Sequence, residues 1–506
     1  MDARPRRGSV RLVIASFLGV GTGLVALSSL EGILVPLQND LVLSVDDINV
    51  LTLAVAAGSL LILFVAGSLV DRLGTRRILR AGACAAVVGA IVVSVAPALP
   101  WILAGRVVGG IGATAMSVAA LALLNEQLTD ERERAYVFGL FAAFTGVVFT
   151  VSPVLSSLVA ERLTWRLVPL LWIAFAAGAA LLLPRMEHVT GGRREMLTPL
   201  AAGVTLSGLS LAALVAKDSL VGSAALLAVV VAAALIAVLR WRWLRGHDRT
   251  PGLDVSVFSA PGAKPLMGAM LAVAAVNLFF YGSLFLQYRL GLSPAQTALI
   301  LVIPQAAGIL GGLAGGWVSA RIGSTRTTAI AFAIGCAAAL SFVAVQEPTT
   351  WSIVIQLAFF AAPAGCVTGT LTKAFLDCAD PAASGAAASW RQGGWNLGAT
   401  LGGAATGAIV LSYFVRTWTS ALEAAGLDSG TAQWAADAVR AGLPLSQIAS
   451  SPALDNVAGR EAVQNFVGLT TAQLGTFRLI ALLAAVAYAV SLALVLIAMW
   501  RKRVAA

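Results

Sequence analysis

The sequence predicts an all-α polytopic membrane protein of fourteen transmembrane helices, arranged as two six-helix bundles with two extra helices between them. Three observations carry that expectation. Apolar residues make up 59% of the 506 residues and charged residues only 11%, where a soluble domain carries about a quarter. The apolar residues fall into runs near the roughly 20 residues that a helix needs to cross a bilayer core. Lys and Arg gather in alternate connections, as the positive-inside rule requires of a chain that crosses repeatedly.

Six runs, near 12–37, 48–70, 78–97, 101–124, 135–159 and 166–184, make the first bundle (1–184). The first of them follows Arg4, Arg6, Arg7 and Arg11 but continues to Leu37, beyond the roughly 7–15 apolar residues of a signal peptide, so it reads as an uncleaved span. Two more runs, near 197–216 and 219–239, precede a polar stretch at 240–263, so 185–263 reads as two linker helices and a loop. Six further runs, near 265–288, 296–319, 327–345, 351–376, 386–413 and 476–500, make the second bundle (264–506), with an external segment at 414–475. Basic residues at the chain start, Arg72–Arg80, Arg132 and Arg134, Arg185–Arg194, Arg240–Lys264 and Arg501–Arg503 place both termini in the cytoplasm.

Composition also excludes functions. The net charge of +10 is spread over short clusters between apolar runs, with no basic stripe interleaved with aromatics, so no nucleic-acid partner is expected. Cys84, Cys336, Cys366 and Cys378 lack metal-ligand spacing, and neither a metal nor a cofactor is expected. His188 and His247 fall in polar connections and do not read as an intramembrane proton relay. No convergent set of catalytic groups suits a membrane enzyme. The expected partners are the lipid bilayer, a small-molecule substrate and protons, with the chain acting as a monomer. Arg outnumbers Lys thirty to four in an Ala- and Gly-rich chain, the composition of a high-GC bacterial genome, and the expected location is a bacterial cytoplasmic (inner) membrane.

Sliding the chain by 249 residues superposes Leu41, Leu43 and Ser44 on Leu290, Leu292 and Ser293, then Gly67, Arg72 and Gly74 on Gly316, Arg321 and Gly323. The matches run through a loop as well as a helix, which points to two duplicated halves, a common plan for transporters.

Between the second and third runs stands Gly67-Ser68-Leu69-Val70-Asp71-Arg72-Leu73-Gly74-Thr75-Arg76-Arg77. The glycines permit close packing and a tight turn, and Asp71 can accept from Arg side chains or a helix N-terminus. In this loop the sequence resembles the major facilitator superfamily. The resemblance implies alternating access between two bundles and an Asp71 that braces the cytoplasmic gate against the start of span thirteen, around Ser384 and Gly385. Leu103-Ala104-Gly105-Arg106-Val107-Val108-Gly109-Gly110-Ile111-Gly112 in span four is similar to a motif of the superfamily's drug:proton antiporters, and an Arg inside a span needs a partner or a cavity. Span thirteen, with Trp390, Arg391, Gln392, Trp395 and Asn396 among small residues, resembles the fourteen-span antiporter branch and supplies the cavity candidates.

Two places depart from the branch. The Gly-Pro-rich signature of span five reads Gly146-Val147-Val148-Phe149-Thr150-Val151-Ser152-Pro153 here, keeping the proline without its surrounding glycines. The Asp expected nine residues before Pro36 is Leu27. Glu31, the acidic residue deep in span one, is the replacement candidate, because a carboxyl in an apolar span is suited to taking up and releasing a proton. Its estimated depth matches that of Arg106, so the two are the candidates for proton coupling. The expected activity is proton-coupled export of amphipathic or lipophilic small molecules; a lipid or glycolipid translocase and an importer are the alternatives on the same fold.

The topology is testable by single-cysteine labelling in a background lacking the four native cysteines. In intact cells an impermeant reagent should label position 430 and leave position 250 unlabelled; the reverse pattern overturns the orientation.

Overall fold

The computed structural model describes residues 7–30, 33–41, 45–184, 195–215, 220–246, 252–288, 290, 292, 294–345, 348–380, 383–424, 426–440 and 469–505. These residues are helical nearly throughout, and among them there is no strand. A bilayer offers no water to unpaired backbone, so a spanning segment must satisfy its own hydrogen bonds, and apolar runs of this length resolve as helices.

The first group comprises α1 (Arg7–Ser28), the short α2 (Leu34–Leu41), α3 (Val45–Leu73), α4 (Thr75–Ser94), α5 (Leu99–Gln127), α6 (Glu131–Arg162) and α7 (Pro169–Leu182). Next come α8 (Leu197–Val215) and α9 (Leu220–Gly246), which pack on each other, with α8 also against α3. The second group comprises α10 (Ala263–Ala274), α11 (Leu278–Tyr288), α12 (Pro294–Ile322), α13 (Ser324–Val343), α14 (Thr350–Leu376), α15 (Ser384–Leu397), α16 (Gly403–Ala424), α17 (Ser429–Arg440) and α18 (Leu469–Ala505). Successive crossings alternate between two faces. The face at which α3, α5, α12, α14 and α18 end is called the terminal face, and the opposite one the far face.

Thirteen helices among the described residues are long and apolar enough to span, whereas the described apolar stretch of α8, Leu197–Leu209, is shorter than a span. The expected count of fourteen is met only if α8 crosses as well. Hydropathy also hides breaks: the run at 12–37 is α1 and α2, and the run at 265–288 is α10 and α11, separated at 275–277. The segment expected as an external loop from 414 is helical at its start, because Val415, Trp418 and Leu422 bury one face of α16 at helical spacing. A second helix, α17, follows.

The duplication read from sequence reappears in the backbone. Helices α3 and α12 begin and end 249 residues apart, and so do α4 and α13. The turns between them are held by Gly74 at φ 93° and Gly323 at φ 88°, a region that other L-residues enter at a cost. Both halves therefore turn the chain with the same strained-for-Cβ geometry.

Within the first group α5 is central, with buried residues on all sides from Gly105 to Asn125. Its contact with α4 is backbone against backbone. A methyl added at Gly112 would lie 2.3 Å from Ala86 N and 2.5 Å from Gly82 O, whereas one added at Gly109 meets nothing within 4 Å. Apolar side chains such as Val88, Ile91 and Val229 stay exposed toward lipid, where they cost nothing.

Gly112→Ala should therefore lower the thermal unfolding midpoint of the purified protein, with a cost of about 1–3 kcal/mol from forced separation of α4 and α5. Gly109→Ala should leave the midpoint unchanged or raise it, since Ala is the better helix former. Equal effects of the two substitutions would show that the contact is not as close as the backbone places it.

Candidate functional site

The two groups meet through two seams, both near the terminal face. In the first, α3 runs against α15. The carboxylate of Asp71, in the last turn of α3, accepts from Gly385 N at 2.9 Å and from Ala386 N at 3.3 Å. These are first-turn amides of α15, which have no partner within their own helix and carry the positive end of its dipole. A side chain at Gly385 would collide with Asp71 Oδ1 and Gly67 O, each 2.6 Å from the added carbon. Deeper in, Ser389 Oγ donates to Leu63 O at 2.9 Å. From α5, Glu126 accepts from Ser384 Oγ at the same helix start. Of the other loop candidates, Arg72 and Arg76 are half-buried, Arg77 is exposed, and Gly74 makes the turn.

The second seam joins α6 to α12 and α14. Gly139 faces Gly316 so closely that an added carbon at 139 would lie 2.6 Å from Gly316 Cα, and one at Gly369 would lie 2.4 Å from Phe138 O. Gly316 thus occupies the place in this seam that Gly67 holds in the first. The equivalent of Asp71 at the 249-residue shift is Ala320, so no carboxylate reaches across. The start of α6 is capped instead by its own Asp130, which accepts from Arg132 N at 2.7 Å and Glu133 N at 3.4 Å. Ion pairs replace the missing contact: Arg134 to Asp377 at 3.1 Å and Lys373 to Glu131 at 3.8 Å, with Lys373 also 2.8 Å from Asp377. Arg321 of the repeat loop lies over the Trp317 ring at 3.4 Å and Gly323 makes the turn. Sequence reading missed this network. Its one signal was the i,i+4 spacing of Lys373 and Asp377 at a span end.

Between the seams α15 carries a chain of polar side chains. Arg391 is 5% exposed; its Nε and Nη2 donate to Thr372 Oγ1 at 3.1 and 2.9 Å, and its Nη1 donates to Gln392 Oε1 at 2.9 Å. Gln392 Nε2 then donates to Asn396 Oδ1 at 3.0 Å. The rings of Phe141, from the first group, and Trp395, from the second, each lie 5.8 Å from the guanidinium. Trp390 turns elsewhere. It sits between Phe64 and Phe258, with ring centroids at 4.7 and 5.0 Å, and donates from Nε1 to Asp254 O at 2.8 Å, which ties the chain after α9 to the first seam. A π-helical stretch, Gly398–Gly402, joins α15 to α16 against α10, a geometry that often marks functional positions in membrane and soluble helices alike.

The second buried cation, Arg106, is 1% exposed and lies toward the far face in α5. Its Nε donates to Leu51 O at 3.0 Å, its guanidinium lies 5.9 Å from the Trp172 ring centre, and its Nη2 has no hydrogen-bond partner among the described residues. Trp172 Nε1 in turn donates to Ser29 Oγ at 2.9 Å, which brings the end of α1 to the same neighbourhood. Glu31 lies outside the described residues, as do His188 and His247. Outside the spans, burial pushes the Cys378 thiol up, opposed in part by the nearby Lys502.

Comparison with known proteins agrees with this architecture. The family model described as Major Facilitator Superfamily matches residues 13–403. The methylenomycin A resistance protein of Bacillus subtilis is 24% identical over 377 residues, 73% of this chain and 80% of that protein. The methylenomycin A resistance protein of Streptomyces coelicolor is 27% identical, covering 69% of this chain and 75% of that protein. The multidrug efflux pump LfrA of Mycolicibacterium smegmatis is 25% identical, covering 72% and 73%. Among solved structures, the E. coli fucose:proton symporter superposes with a TM-score of 0.57 at 13% identity over 98% of this chain and 99% of that one. The human organic anion transporter TETRAN superposes with a TM-score of 0.55 at 16% identity over 95% and 100%.

Asp71→Asn removes the charge that faces the α15 dipole while keeping one acceptor. Loss of about 0.3–2 kcal/mol of charge–dipole energy should shift the ratio of closed to open terminal face by roughly two- to thirtyfold toward open. Spin labels at positions 80 and 501, on cysteines in a background lacking the native ones, should report the longer distance in a larger fraction of molecules. An unchanged distance distribution would remove Asp71 from the gate.

Proposed function

The chain belongs to the major facilitator superfamily, and we propose that it exports amphipathic or lipophilic small molecules in exchange for protons, by alternating access. That it is a multi-pass membrane transporter and not an enzyme follows from the family and from relatives named for drug resistance and efflux. In this reading the two bundles, 1–184 and 264–506, rock about a central site, and 185–263 is a peripheral insertion. The observation that carries it is one-sided closure: the seam contacts at Asp71, Gly139 and Arg134 all lie toward the terminal face. With the positive-inside orientation that face is cytoplasmic, and in this reading the described conformation is closed toward the cell interior.

Arg391, Gln392 and Asn396 supply the polar part of an otherwise apolar site, which suits a substrate with a large apolar body and a few hydrogen-bond acceptors. Proton coupling is assigned to Glu31 with Arg106. A buried guanidinium with a vacant Nη2 donor favours a carboxylate in its surroundings, and Ser29, two residues before Glu31, is tied to the same tryptophan that flanks Arg106. Protonation of Glu31 would then release Arg106 and permit the switch.

The measurement is transport against an imposed proton gradient in proteoliposomes, across pH and a panel of lipophilic compounds. Glu31→Gln mimics the protonated form and should abolish gradient-driven transport while leaving substrate binding intact. Arg106→Lys keeps the charge but loses the planar fork, and should slow transport more than it weakens substrate binding. Full pH-dependent transport by Glu31→Gln would place proton coupling elsewhere in the chain.

A further inference from the structure

A cavity of about 520 Å³ opens on the terminal face where the two groups meet. From the first group, Glu131 and Arg134 line it; from the second come the start of α13, the end of α14 and the end of α18. Its acidic groups are already compensated. Asp377 accepts from Lys373 at 2.8 Å, pairs with Arg134 at 3.1 Å and accepts from Ser324 Oγ at 3.4 Å, while Glu131 lies 3.8 Å from Lys373. Three further cations line the same cavity, Arg326, Lys502 and Arg503, and among the described residues none of them forms an ion pair with a carboxylate. Lys502 does lie beside the Cys378 thiol.

The first turn of α13 adds donors to this positive wall. Its N-cap, Gly323, has no side chain to accept from the turn, and the space an added carbon would occupy there is open. The start of α6, at the same face, contrasts with it, since Asp130 caps it. An uncapped helix start beside Arg326, Lys502 and Arg503, none of which pairs with a carboxylate among the described residues, is chemistry for an anion with several acceptor oxygens. The site also sits at the edge of the bilayer: Trp500, 63% exposed, precedes Arg501 as α18 leaves the apolar layer, the ordinary place of an interfacial tryptophan.

We propose that this cavity binds a phosphate-bearing anion, which bridges the two groups and holds the terminal face closed. Its oxygens are supplied either by the head group of an anionic phospholipid or by a soluble phosphate ester. Arg326 and Arg503 hold the phosphate from the second group, and Arg134 completes the bridge from the first. Such an anion stabilises one conformation of the transporter over the other without entering the substrate path.

The test uses the full chain in nanodiscs. Retention of phosphatidylglycerol against phosphatidylcholine is read by native mass spectrometry, and the distance between spin labels at 80 and 501 is read in the two lipids. In a parallel arm glycerol 3-phosphate and inorganic phosphate are titrated into phosphatidylcholine discs. Phosphatidylglycerol should be retained selectively and should enrich the short distance; Arg326→Gln with Arg503→Gln should weaken retention about tenfold or more. Arg162→Gln with Arg416→Gln, which removes the same charge at the other face, should leave it unchanged. Arg326→Lys with Arg503→Lys keeps the charge and should retain most of the binding, which covers the case in which the neutral pair fails to fold. Enrichment of the short distance by glycerol 3-phosphate, with no preference for phosphatidylglycerol, identifies the soluble source; the converse identifies the lipid. Equal retention of both lipids with no response to either phosphate, or binding by the neutral pair equal to wild type, overturns the site.

Discussion

Helices in a bilayer gain nothing from hiding apolar side chains, because the lipid is as apolar as leucine, so close contact between backbones must hold them together. Glycine supplies that contact here at each important crossing. Gly82, Gly89, Gly105 and Gly112 let α4 lie against α5 inside the first group, and Gly308, Gly311 and Gly365 do the same for α12 and α14 inside the second. Across the groups, Gly67 with Gly385 and Gly139 with Gly316 bring the backbones together without a side chain between them. Dispersion between close-packed backbones is short-ranged, so such a seam is either fully made or lost.

The two seams are related by the duplication, yet they are not copies. The turn glycines keep their places at the 249-residue shift, and so does the seam glycine Gly67 as Gly316, while Asp71 becomes Ala320. One seam is therefore locked by a carboxylate on a helix dipole, and the other by ion pairs among Glu131, Arg134, Lys373 and Asp377. The difference has an electrostatic consequence. The dipole contact is buried and little affected by salt, whereas Glu131 is 82% exposed and its pair is screened by the medium. The second seam is accordingly the more sensitive of the two to salt.

Inside the molecule the two buried arginines stand in different surroundings. Arg391 is saturated by Thr372 and Gln392 and flanked by rings, so its charge is spread into a polar chain along α15. Arg106 donates to one backbone acceptor, and its Nη2 has no partner among the described residues. Placing a charge in a span costs about 2.5–3.5 kcal/mol on insertion scales, and such a residue persists where it does work.

Hydropathy was enough to read the helical membrane fold, because bilayer thickness dictates run length, and residue identities at a fixed shift were enough to read the 249-residue repeat. The Asp71 contact with the start of α15 was also legible, since an acidic residue at a helix end needs donors and the family resemblance pointed to them. Other features were not. The breaks in the first run and at 275–277, and the helical continuation of α16, depend on which face packs against a neighbour, which average hydropathy does not contain. The divergence of Trp390 from Arg391 was not legible for the same reason: adjacent residues on a helix point about 100° apart, and Trp390 faces Phe64 and Phe258 while Arg391 faces Thr372. The ion-pair seam and the basic cavity join residues hundreds of positions apart, and a long-range electrostatic cluster has no local pattern by which a linear chain could announce it; it exists only once packing has brought α6, α13, α14 and α18 to one corner.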